Sequence, residues 1–79
     1  MSFDYSKLRG RIVEKFGTLG AFATSMDWSE RTNGLKINGV NEWKQSEIVK
    51  AGMLLGIESS EYDEYFFTTK VQTIEQKGN

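Results

Sequence analysis

From Ser29 to Lys36 the chain sets out side chains able to read a base edge or a charged protein surface: Ser29, Glu30, Arg31 and Thr32 in succession, then Lys36 one helical turn on. Arginine donates in a planar fork to guanine, serine and threonine hydroxyls donate or accept, and glutamate accepts from cytosine N4 but is repelled by phosphate. The chemistry on offer is noncovalent recognition. Catalysis lacks its usual groups, because the 79 residues include no histidine and no cysteine, which removes the near-neutral acid–base, the thiolate nucleophile and the common soft-metal ligands. Carboxylates are plentiful, yet nothing sets two of them across a cleft, and neither a phosphate loop nor metal-ligand spacing occurs. The chain is therefore expected not to be an enzyme, and to carry no cofactor, metal or small-molecule ligand.

Charge is distributed unevenly around a formal net value of -1. Residues 1–39 hold six basic side chains against four acidic ones, whereas residues 40–79 hold four against seven. The first half could face phosphate, and the second would repel it. The start, "MSFDYSKLRGRIVEKF", has charges every few residues and no long apolar run, so it reads as neither a secretory signal nor a membrane span. The expected setting is the cytoplasm, away from membranes.

The elements that must position the Ser29–Lys36 run follow from periodicity. Tyr5, Leu8, Ile12 and Phe16 fall on one face of a helix over about Tyr5 to Phe16, ended by Gly17. Thr18 caps a second, two-turn helix whose inward residues are Leu19, Phe22, Ala23 and Met26. Asp27 and Trp28 form a tight connection, and Asp27 tolerates a left-handed backbone. Ser29 then caps a third helix, Glu30 to Asn38, stopped by Gly39. "KQSEIVKAGMLLG" makes a fourth helix with Ile48, Ala51, Gly52 and Leu55 on one face and Gly56 at its end. Ser59 and Ser60, followed by Glu61, Asp63 and Glu64, start a short fifth helix packed by Tyr62, Tyr65 and Phe66. "TTKVQTI" favours extended chain and "EQKGN" a frayed tail. The expected core is Leu8, Ile12, Phe16, Phe22, Ala23, Ile48, Leu54 and Leu55 in one all-α domain of five short helices, residues 1–72, with 73–79 as a flexible C-terminal tail.

Two short helices joined by a tight turn, the second starting at a capped serine, form the helix-turn-helix pattern, in which the second helix offers its N-terminal side chains to base edges. Candidate DNA contacts are Thr18, Ser29, Glu30, Arg31, Thr32, Lys36, Asn38 and Lys44. Bland readings stand beside these: Arg31 is also an ordinary solvated charge, and the acids Glu58, Glu61, Asp63 and Glu64 suit a helix first turn. Trp28 and Trp43 read either as core-edge residues or as exposed anchors, since tryptophan is enriched at interface hot spots. Asn33-Gly34 is also a two-residue hairpin sequence, but its flanks "ERT" and "LKI" are too short for strands.

In "FDYSKLRGRIVEKFGT", "FA", "SERT", "LKING", "WKQSEI", "LLGI" and "EYFFTTKVQ", spanning Phe3 to Gln72, the chain resembles small helix-turn-helix regulators of temperate phages from Gram-positive hosts, related to the Cro and CI repressors. Within that group it is similar to the modulator-of-repression (MOR) proteins of lactococcal phages. The resemblance implies a lambda-repressor-like domain that acts in the lysis/lysogeny switch of a bacterial host. It implies a CI-type repressor as protein partner, bound at its DNA-binding domain and antagonised, with operator DNA bound weakly alone or through the complex. The alternative is a Cro-like regulator that binds operator DNA directly. The chain departs from the helix-turn-helix pattern at Asp27, where glycine is usual, at Trp28, where a small aliphatic is usual, and at Asn33-Gly34, where an apolar-serine pair is usual. A glycine inside a helix costs roughly 1 kcal/mol relative to alanine, and Asn33 removes an apolar contact. Those departures suit a protein surface better than an operator, so Asp27, Trp28, Glu30, Arg31, Asn33 and Trp43 are candidate partner contacts.

Overall fold

The computed structural model describes residues 3–69, and within them most of the helix boundaries fall on a capping side chain or a glycine of positive φ. Helix α1 spans Ser6–Phe16. Asp4 Oδ1 accepts from the Ser6 N–H at 2.9 Å and its hydroxyl at 2.6 Å, and Gly17 closes the helix at φ 84°, its N–H donating to Val13 O. Helix α2, Leu19–Ser25, is capped by Thr18, whose Oγ1 accepts from the Ala21 N–H at 3.1 Å. Helix α3, Glu30–Ile37, is capped by Ser29, which accepts from the Thr32 N–H at 3.1 Å. Helix α4 covers Gln45–Leu55 and ends on Gly56 in the left-handed conformation. A 3-10 turn, Ser59–Glu61, leads into α5, Tyr62–Phe66.

Apolar periodicity is converted directly into burial. Leu8 and Ile12 of α1, Phe22 of α2, Leu55 of α4 and Phe66 of α5 are almost completely enclosed, with Met26, Ile37, Ile48, Ala51 and Ile57 completing the core. Phe16 is half-buried and packs edge-on to Phe22, ring centroids 5.5 Å apart. Leu54 is a correction to the expected core: it is 37% exposed. The α4 stripe that faces inward is Ile48, Ala51, Gly52 and Leu55, and Leu54 lies about 100° round the helix from Leu55. Gly52 is required by packing, because a Cβ there would meet the Tyr62 ring at 2.9 Å.

The fold is the all-α, five-helix architecture expected, with α2 and α3 joined by the short turn 26–29. Phe3 forms an isolated antiparallel bridge with Thr69, and the Asp4 N–H donates to Thr68 O at 2.7 Å, so the two ends of the described chain lie together. The expected tail at 73–79 and the extended stretch after Thr69 lie outside the described residues.

Candidate functional site

The turn between α2 and α3 is held by backbone chemistry. Asp27 adopts φ 64°, a left-handed conformation that short polar side chains accept more readily than most. The Trp28 N–H donates back to Ala23 O at 2.9 Å. Ala23 itself is buried, 2% exposed, where the chain folds back on it. The turn directs Trp28 inward, edge-on to Phe22 at 6.3 Å and to Trp43 at 5.2 Å.

Helix α3 sorts its residues by the i, i+3, i+4 rule. Asn33, Lys36 and Ile37 face inward and are buried; Ser29, Glu30, Arg31 and Asn38 are exposed, and Thr32 lies between. Lys36, a candidate DNA contact, is thus corrected: it is 7% exposed and its ammonium is committed inside the protein. Its Nζ donates to Glu42 O at 2.6 Å and to Glu47 Oε1 at 2.8 Å, and sits 5.7 Å from the Trp28 ring centroid. The same Glu47 carboxylate accepts from the Lys44 N–H at 2.8 Å, and Trp43 Nε1 donates to Lys36 O at 3.1 Å. Lys36 is therefore a clasp that fastens the 38–44 loop and the start of α4 onto α3. Burial alone would raise the Glu47 pKa, but the hydrogen bond from Lys36, the Lys44 backbone N–H and the two lysine charges outweigh it and hold the carboxyl below its ordinary range.

Asn33, a candidate partner contact, is also corrected. It is 4% exposed; Nδ2 donates to Leu19 O at 3.3 Å while Oδ1 has no partner. The side chain joins α3 to α2 rather than reaching outward. Trp28 and Trp43 are half-buried core-edge rings, packed against the core and against each other. Gly34 does present open space, since a Cβ there would meet nothing within 4 Å.

The remaining candidates do lie at the surface, but several are already occupied. Thr18 and Ser29 spend their hydroxyls as caps, and Asn38 Oδ1 accepts from Arg9 Nη2 at 2.7 Å. The Glu30 carboxylate lies over the first turn of α2, 3.5 Å from where a Cβ on Gly20 would be. Asp27 is exposed, with Lys50 Nζ 3.4 Å away. Arg31 and Lys44 are left as the exposed cations among the candidates. The arrangement can form charged and polar surface contacts; among the described residues no group of acidic side chains could hold a metal ion, and no helix is long and apolar enough to cross a membrane. Glu42 and Glu47 are the participants that sequence reasoning missed. A partial signal existed for Glu47, three residues after the residue preceding α4, the position from which a glutamate reaches back to a helix N-terminus.

Comparison with known proteins extends this picture. The family described as "Protein of unknown function (DUF739)" matches residues 1–69. Among solved structures, the solution structure of the modulator of repression (MOR) of the temperate bacteriophage TP901-1 from Lactococcus lactis is similar at 45% sequence identity and a TM-score of 0.71, covering 91% of this chain and 97% of that one. No curated protein sequence matches. With the fold and nearly the whole length shared with MOR, and the family match running through all five helices, the chain belongs to the DUF739 family.

Proposed function

We propose that the chain is a phage antirepressor: it binds the DNA-binding domain of a CI-type repressor in the host cytoplasm and antagonises or modulates that repressor. The observation that carries this reading is the 45% identity, over 91% of the chain, with a protein that is a modulator of repression. The state of α3 supports it. Direct operator reading needs cations at the groove and along the phosphates, whereas Lys36 is sequestered by Glu47 and Arg31 stands beside the like-exposed Glu30. A surface with both signs of charge, on a chain of net charge -1, is a better match for the basic face of another DNA-binding protein than for DNA.

Direct, Cro-like operator binding is the second reading, favoured by the helix-turn-helix geometry and by exposed Arg31 and Lys44. Co-purification with a CI-type repressor, followed by an operator shift assay with each protein alone and with both together, separates the two. An antirepressor gives a stable complex and relieves or alters the repressor's shift while shifting DNA poorly by itself. A tight shift by this chain alone, with no complex, reverses the assignment.

A further inference from the structure

Beside the clasped loop, the ends of the described chain and α5 enclose a second feature. A cleft of about 230 Å³ is walled by Phe3, Tyr5, Trp43, Phe66 and Phe67, with Glu42 at its margin. Its size is below the roughly 300–1,000 Å³ of pockets that hold drug-sized molecules, and suits a single side chain. The rings form a continuous array: Tyr5 and Trp43 are 6.1 Å apart, Trp43 and Phe66 5.2 Å, Phe3 and Phe67 6.1 Å. Aromatic faces carry negative potential and attract cations within about 6 Å of a ring centroid. Glu42 is exposed, and its carboxylate forms no hydrogen bond or ion pair among the described residues. Burial first, and then the Glu42 charge, push the Tyr5 phenol above its ordinary value, which keeps the hydroxyl protonated beside that carboxylate.

An apolar ligand would gain from the rings but leave the carboxylate without a cation; an anion would meet both the carboxylate and the ring faces unfavourably. A flat cation satisfies both walls, because a guanidinium stacks on aromatic rings and donates in a fork to a carboxylate. The larger open groove next to it, about 550 Å³ and lined in part by Asp4, Arg9 and Val13, presents both signs of charge and selects no ligand. We infer that the aromatic cleft is a receptor for one arginine side chain of a protein partner, its guanidinium held against the accessible rings of Phe3, Trp43 and Phe67, with buried Tyr5 and Phe66 behind them, and paired with Glu42. The source of the arginine rests on the antirepressor reading: it is supplied by the basic, DNA-facing surface of the repressor.

The test has two arms, both on the full chain. In the first, the protein is titrated with Nα-acetyl-arginine N-methylamide and with the neutral citrulline analogue, followed by NMR of the Trp43 indole and Tyr5 ring. Saturable shifts with the arginine derivative, weakened about tenfold or more by citrulline or by Glu42→Gln, support the cleft; this corresponds to the loss of one charge-assisted contact. Equal responses to the two compounds, or in the two proteins, overturn it. The second arm measures repressor affinity for wild type and Glu42→Gln, with the thermal midpoint as a check that the exposed substitution leaves the fold intact. A drop of about tenfold at unchanged midpoint supports the inference, and equal affinities overturn it while leaving the antirepressor reading standing. Arginine binding without any repressor complex supports the cleft and removes the antirepressor reading.

Discussion

Replacing Lys36 by methionine keeps the length of the side chain and removes its charge, which isolates the clasp. The ammonium lies 2.8 Å from Glu47 Oε1 and 2.6 Å from Glu42 O, and the side chains of the ion pair are 9% and 17% exposed. After the substitution Glu47 stays in place, because it still accepts from the Lys44 N–H, but it has lost its buried counter-ion, and the Glu42 carbonyl has lost a donor. Removing one partner of a fully buried pair costs about 3–5 kcal/mol; with some water reaching the carboxylate the expected cost is about 2–3 kcal/mol. The double variant Lys36→Met, Glu47→Gln retains an acceptor for Lys44 and no longer buries an unpaired charge, so it should recover to within about 1 kcal/mol of wild type. Urea unfolding followed by tryptophan fluorescence reads this directly, since both tryptophans adjoin the clasp. With an m-value of about 1 kcal/mol/M for so small a domain, the single variant should lower the midpoint by about 2–3 M. A loss below about 0.5 kcal/mol, or a double variant no better than the single, would refute the clasp as the element that holds the loop.

Asn33→Leu removes a buried amide with an unpartnered oxygen and should stabilise the fold by about 1–2 kcal/mol, raising the thermal midpoint by several degrees; a fall in midpoint would mean that the Leu19 contact outweighs the orphaned acceptor. Asp27→Gly relieves the φ 64° conformation at the loss of a solvent-exposed contact with Lys50, for an expected gain of about 0.5–1 kcal/mol in chemical denaturation. The Glu47 carboxyl, held below its ordinary value of 4.5, contributes stability that is present above the unfolded-state value and lost as pH falls through the folded one. The midpoint should thus be flat near neutrality and decline below about pH 4.5, less steeply in Glu47→Gln. Glu30→Lys should improve nonspecific DNA affinity and weaken a repressor complex by a few kcal/mol if Glu30 pairs with a repressor cation; calorimetry and shift assays on the one variant check both, and unchanged repressor affinity would move the interface away from α3.

The helices were legible because their signals are local. Thr18 and Ser29 cap at a range of three residues, Gly17, Gly39 and Gly56 take positive φ, and the stripe from Tyr5 to Ile12 repeats with the helix. Misplacements arose where the deciding partner is remote. Lys36 reads as a solvent-facing cation until Glu47, eleven positions on, folds back beside it, and Asn33 reads as a polar surface group until Leu19 O comes within reach. The period does contain a signal: Asn33, Lys36 and Ile37 share the i, i+3, i+4 face that must point inward, a position that outweighs the polarity of the first two. Leu54 is the opposite case, an apolar type placed inside although its angle on α4 lies off the stripe of Ala51 and Leu55. The aromatic cleft had no linear signature, because its walls come from the first residues, the α3–α4 loop and α5.

The bridge between Phe3 and Thr69 has a kinetic side as well. It joins residues almost the whole described chain apart, and contacts of that kind carry the largest loop-closure penalty and form after the local ones. Helices α1 to α3, joined by turns of a few residues, can collapse early, whereas Phe3 and Phe67 meet only once both chain ends have been brought together. The wall of the cleft is thereby expected to be completed late in folding, and hydrogen exchange at the Asp4 amide, which bonds to Thr68 O, should report its opening ahead of the helical core.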